Sequence, residues 1–147
     1  MKAIVRFGFF LLFLAGIALV MLQGREMARQ NLPGGGADMT GHEWRPIVLG
    51  AEILPADSGM HVVFAVDGSI NGNGGCNNFF GALEKTEGGI KVGELGATRM
   101  ACPETVMDRE GAYLQALQRT SRFELGDQRL QLLDANNQLL LEFVAED

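Results

Sequence analysis

The chain has 147 residues, 47% of them hydrophobic and 20% charged, which suits one domain with a sizeable core and is too short for two ordinary ones. Lys2, Arg6, Arg25 and Arg29 against Glu26 give residues 1–31 a net charge of +3, so the remainder carries −9 of the total of −6. An acidic body with no basic patch, one Trp and one Tyr argues against nucleic acid as a partner, since phosphate binding needs a basic face and base stacking needs an aromatic platform.

The first element is an uncharged apolar run, Phe7 to Leu22, preceded by Lys2 and Arg6. A basic flank before such a run at the N-terminus is what an export signal needs. The run is close to the lower limit for a membrane span. No small-residue cleavage site follows it and no lipidation cysteine stands near its end. The expectation is therefore an uncleaved signal anchor (residues 1–22), with a cleaved signal as the alternative. The basic flank keeps the N-terminus in the cytoplasm, so the body faces the periplasm from the cytoplasmic membrane. Residues 23–41, with three glycines after Pro33, read as a flexible linker. The folded body is expected over residues 42–147.

In the body, Glu43–Leu49 predicts a first strand, with Pro46 placing it at an edge or a bulge. Met60–Val66 is rich in β-branched residues and predicts a second. Asp67-Gly68 is a hairpin signal, and the returning strand, Ser69 to Asn71, leads into NGNGGCNNFFG, Asn71 to Gly81. Beyond it the period is two: Phe79, Gly81 and Leu83 on one face, Phe80, Ala82 and Glu84 on the other. Ile90 and Val92 alternate in a further strand, and Leu95 to Met100 stays extended. From Pro103 the apolar positions Val106, Met107, Tyr113, Leu114 and Leu117 have helical spacing. Pro103 suits a first helical position, and Gly111 reads as a weak spot that could admit a strand. Ser121–Leu125, Leu130–Leu133 and Leu139–Val144 predict three closing strands. The class expected is α+β, mostly β: an antiparallel meander of about seven or eight short strands forming a cracked, partly open barrel, with one packed helix.

The elements GNGGCNNFFG, GELGATRMAC, a helix carrying E..YLQAL, and RLQLLD....LLLEF resemble the META domain, the HslJ-like family of bacterial envelope proteins, over roughly Trp44 to Phe143. The resemblance implies a barrel-like meander with a helix, similar to secretin-pilot lipoproteins. It also implies non-enzymatic roles in heat-shock response, drug tolerance and envelope or motility processes. Several relatives are lipoproteins, whereas this chain has no lipidation cysteine; a protein anchor would replace the lipid. The family-motif positions are Gly75, Asn77, Gly81, Thr98, Arg99 and Glu110.

Cys76 and Cys102 are an even pair in a small exported domain, for which a disulfide is the natural reading. The alternatives are two buried thiols, or a Cys76 nucleophile with His42 or His61 as base. The Asn71–Gly75 loop has two readings as well: an anion-binding nest, or turn chemistry in which Gly and Asn supply positive φ. Glu110 falls on the helical face of Val106, Tyr113 and Leu117. If buried it must be paired, with Arg99 or a strand amide near the glycine loop as partner. Two separated histidines without ligand spacing point to no metal, and no cofactor is indicated. The function expected is a non-catalytic binding or scaffold module in envelope stress. Its partner would be an envelope protein or an apolar ligand, with a lipid carrier and a Cys-dependent enzyme as alternatives.

Overall fold

A computed structural model describes residues 38–146. The apolar run Phe7–Leu22 and most of the linker lie outside the described residues. Among the described residues, no helix is long and apolar enough to cross a membrane.

Ten antiparallel strands and one helix make up the body. In chain order they are β1 (Glu43–Leu49), β2 (Glu52–Ile53), β3 (His61–Phe64), β4 (Ser69–Asn73), β5 (Asn78–Thr86), β6 (Gly89–Val92), β7 (Gly96–Ala97), α1 (Glu104–Arg119), β8 (Arg122–Leu125), β9 (Arg129–Leu133) and β10 (Leu139–Glu146). The strand order is β6-β5-β4-β3-β1-β10-β9-β8, with β2 added to β1 and β7 to β5. Most neighbours are joined by short turns whose chemistry is local. At Asp67-Gly68 the Asp67 carboxylate accepts the Ser69 hydroxyl (2.7 Å) and N–H (2.9 Å), and these bonds hold its pKa below the ordinary carboxylate value. At the β9–β10 turn Asn137 takes φ +62°, a conformation asparagine tolerates.

Period-two alternation fills the interior. Phe79 and Leu83 of β5 are buried while Phe80, Ala82 and Glu84 are exposed; Val62, Phe64, Ile70, Leu130, Leu132, Leu141 and Phe143 are fully enclosed. One stripe of α1, formed by Glu110, Tyr113, Ala116 and Leu117, is buried. The helix packs on β1, β6 and β10. The Tyr113 ring lies 5.9 Å from Phe79, edge-on, and 6.4 Å from Phe143. Met39 and Thr40, on the linker side of His42, are also buried, and Thr40 forms a parallel bridge to Phe64.

Four details differ from the sequence expectation. The strands number ten because β2 and β7, of two residues each, are too short to leave a periodic trace. The sheet is not closed into a barrel. Its end strands β6 and β8 approach, and the N–H of Ile90 donates to Ser121 O at 3.2 Å, but no ladder joins them. Gly89 is needed for that approach, since a Cβ there would collide with the Ser121 carbonyl. Pro46, by contrast, stands at one of the two places expected for it, a bulge: β1 is an interior strand between β3 and β10, and its register shifts between Pro46 and Val48. The bulge spares the ladder the missing N–H. Finally, Pro103 is the extended N-cap residue (ψ 142°) rather than a helical one. Gly111 faces open space, so no strand approaches it.

Candidate functional site

The signature stretch leaves β4, turns and enters β5. Gly74 N–H donates to Asn77 O at 2.9 Å, and Asn73 Oδ1 accepts Gly75 N–H at 2.7 Å. Gly75 takes φ +104°, a region in which L side chains are strained. This geometry aims two consecutive backbone N–H groups, those of Cys76 and Asn77, at one point.

The Glu110 carboxylate occupies that point. Its Oε2 accepts Asn77 N–H at 2.6 Å and Cys76 N–H at 3.1 Å, and its Oε1 accepts Asn77 Nδ2 at 2.8 Å. A nest therefore forms just after the Asn71–Gly75 loop, from the amides of Cys76 and Asn77, and its anion is the chain's own. Convergent amides with fixed dipoles are what a buried carboxylate needs to offset its lost hydration. Gly74 admits it: a Cβ there would stand 2.6 Å from Glu110 Cγ and 2.7 Å from Oε2. Of the two partners expected for Glu110, Arg99 or a strand amide near the glycine loop, amides beside the loop, at Cys76 and Asn77 just before β5, are the ones found. Arg99 is exposed and, among the described residues, forms no ion pair with Glu110.

Asn77 is 4% exposed and uses all four of its side-chain hydrogen-bonding positions. Nδ2 donates to Glu110 and, at 3.4 Å, to Met100 O; Oδ1 accepts Met100 N–H at 2.6 Å and the Thr98 hydroxyl at 2.9 Å. Thr98 Oγ1 also accepts Asn78 N–H at 3.2 Å. Cys76 and Cys102 are joined in a disulfide. Four family-motif residues, Gly75, Asn77, Thr98 and Glu110, together with the disulfide pair Cys76 and Cys102, thus tie the β4–β5 turn, the segment before the helix and the helix itself into one unit. Gly81 sits apart from them. A Cβ on it would stand 2.9 Å from Glu94 O and 2.7 Å from Leu95 Cδ2, so it admits the chain leading into β7.

The chemistry this arrangement can perform is limited. A sulfur in a disulfide is no thiolate nucleophile. Glu110 is held by three N–H donors. His42 stacks edge-on against Trp44, with centroids 6.3 Å apart, and His61 pairs with Asn73 in the sheet. Among the described residues no group of three His, Cys, Asp or Glu could hold a metal. Tyr113 has the one described buried side-chain oxygen without a hydrogen-bond partner, and burial pushes its hydroxyl well above the usual pKa of 10.0. Sequence reasoning missed Asn73, Gly74 and the Met100 backbone as parts of the unit. The spacing NGNGG carried the signal for the first two, but nothing local marked the third.

The META-domain family model matches residues 37–147. The chain belongs to the META-domain family. Three solved structures resemble this META domain. An NMR structure of a protein from Burkholderia xenovorans is 27% identical with TM-score 0.60, covering 74% of this chain and 83% of that one. A second NMR structure is 20% identical with TM-score 0.58, covering 72% and 90%. A crystal structure of a DUF4847 family protein from Bacteroides vulgatus is 12% identical with TM-score 0.53, covering 74% and 96%. The last two show the fold alone, and in them that fold makes up nearly the whole chain, so it stands as a domain by itself. No curated protein matches the chain.

The META domain has a second feature, at its open seam. A cavity of about 460 Å³ lies between the β5–β6 hairpin, β8 and residues 38–40. Its apolar walls are Met39, Leu83, Ile90 and Phe123, with Asp38 and Lys85 also lining it. Phe123 pairs with the enclosed Leu132 and so lies on the inward face, yet it is 38% exposed. The cause is that β8 has no ladder partner on its other side. None of the cavity residues belongs to the Glu110–Asn77 unit.

Proposed function

We propose that this META domain is a non-catalytic binding module, held at the cytoplasmic membrane by its N-terminal run and facing the periplasm, where it serves the envelope's response to stress. One observation carries the non-catalytic reading. Apart from the exposed Arg99, the reactive groups of the signature are engaged with one another: the cysteines in a disulfide, Glu110 with three N–H donors, and Asn77 on all four positions. Such a unit stabilises and orients a frame, leaving recognition to the rest of the surface. The test is an assay of the full chain against ester, peptide and disulfide substrates, beside the Cys76→Ser/Cys102→Ser variant. No turnover above background is expected. Turnover that the double variant loses would overturn the reading. The topology has its own test: a C-terminal alkaline phosphatase fusion is expected to be active, and an inactive fusion at normal abundance would remove the periplasmic placement.

Within binding, two partners are open: an envelope protein added to a strand edge, and an apolar ligand. The seam cavity favours the ligand. Its volume of about 460 Å³ falls within the roughly 300–1,000 Å³ of small-molecule sites, and Met39, Leu83, Ile90 and Phe123 give it an apolar lining beside its polar residues.

A further inference from the structure

We propose that the seam cavity holds the hydrocarbon chain of a single-chain zwitterionic amphiphile, with its anionic group on Lys85 and its cationic group on Asp38. This rests on the apolar-ligand reading and adds the chemistry of the head group.

The walls supply the first half of the argument. Ile90 and Lys85 are cross-strand partners, as are Val92 and Leu83, so their side chains share the inward face of the hairpin. Along that face the residues grade from Leu83 and Ile90, both buried, to Lys85, exposed at the turn end. Phe123 faces the same space from β8, and Met39 from the segment before β1. A half-open cleft lined by Met39, Leu83, Ile90 and Phe123, with the charged Asp38 and Lys85 also in its lining, is the complement of an amphiphile.

The charges supply the second half. Asp38 and Lys85 both line the cavity, one of each sign, and no ion pair joins them at 4.0 Å or less. The Asp38 carboxylate accepts Thr40 N–H at 3.1 Å. Its pKa is lowered by hydrogen bonds from Thr40 and, more weakly, by the Lys85 charge, so it is ionised at neutral pH and within electrostatic reach of Lys85. A purely anionic head would meet Lys85 but oppose Asp38, and a purely cationic head the reverse. A head with both signs satisfies each and leaves neither charge facing its like.

The chain provides its own reporter. Trp44 is the single tryptophan, buried, with its indole N–H donating at 2.8 Å to the carbonyl of Met39, a wall residue. The experiment titrates residues 37–147 with dodecylphosphocholine below its micelle concentration and follows Trp44 emission, with dodecanoate and dodecanol as comparison probes. Two variants are tested. Lys85→Glu reverses one charge. Asp38→Asn removes the other while keeping an oxygen that can accept Thr40 N–H. A saturable emission change at one site is expected, with dodecylphosphocholine the tightest probe. Each variant should weaken it about threefold or more, and Asp38→Asn should tighten dodecanoate. If dodecanol binds as tightly as dodecylphosphocholine, or neither variant alters its affinity, the head-group assignment falls while the apolar-ligand reading stands. If no probe changes Trp44 emission, both fall.

Discussion

The N–H of Asn77 donates to the carboxylate of Glu110 at 2.6 Å, across 33 residues of sequence. That bond, with those from Cys76 N–H and Asn77 Nδ2, joins the signature turn to the helix and makes Glu110 a buried anion in a nest of the chain's own amides.

Removing the anion should therefore cost more than an ordinary surface change. Glu110→Ala leaves two backbone N–H groups and one amide N–H without their acceptor. An unsatisfied buried donor costs about 1–3 kcal/mol, so a loss of about 3 kcal/mol or more is expected in urea unfolding. Gly74→Ala should cost about 1–3 kcal/mol by overpacking, because its Cβ would stand 2.6 Å from Glu110 Cγ. The two effects share one cause, so the Gly74→Ala cost should shrink in the Glu110→Ala background. Strictly additive losses in this double-mutant cycle would show that Gly74 is there for another reason.

Asn77→Asp keeps the shape and replaces the Nδ2 donor, now 2.8 Å from Glu110 Oε1, with a second carboxylate oxygen. Like charges at that separation hold a shared proton. The folded state would then bind a proton that the unfolded state releases above about pH 4. Linkage makes the variant lose stability as pH rises from 4 to 7 relative to the wild type. Parallel unfolding curves for the two proteins across that range would contradict the placement of Asn77 against Glu110.

The Cys76–Cys102 disulfide spans a sequence separation of 26. Chain entropy assigns about 3.5 kcal/mol to closing such a loop. The Cys76→Ser/Cys102→Ser variant should lose about that much, read as a lower denaturation midpoint than the oxidised protein. Reducing agent should shift the wild type by a similar amount and leave the variant unmoved.

Tyr113 is enclosed between Phe79 and Phe143 with its hydroxyl unpartnered. Tyr113→Phe removes a buried polar group that makes no bond, so stability should be unchanged or higher by up to about 1 kcal/mol. The same burial raises the hydroxyl's pKa in the folded state above its ordinary 10.0. Its contribution is fully present below pH 10 and is lost as pH rises above that value, where the unfolded chain ionises and the folded one resists. The variant should lose less stability than the wild type between pH 10 and 11.5. Identical alkaline unfolding of both would mean that water reaches the hydroxyl in the folded protein.

Much of the fold was legible because its signals are local. The β5 alternation of Phe79 and Leu83 against Phe80 and Glu84, the Asp67-Gly68 hairpin and the helical spacing of Tyr113 and Leu117 each arise from contacts within a few residues. β2 and β7 were not legible, because two residues have no period. The interior position of β1 was missed because its neighbours β3 and β10 come from opposite parts of the chain. Pro46, read locally, suggests only an edge or a bulge.

For the signature the division is sharper. The family was recognisable only through the resemblance of its motifs, whereas the even cysteine pair, the turn-forming NGNGG and an acidic residue on the apolar helical face follow from counting and spacing. Only the tertiary structure decided that the acid is the anion of the glycine nest, because a carboxylate's partner depends on which amides the fold brings within hydrogen-bond reach. It alone also decided that the sheet stops short of closure at β6 and β8. Closure needs a ladder between β6 and β8, which come from separate parts of the chain and share only the Ile90–Ser121 hydrogen bond across the seam, and no single stretch of sequence records that.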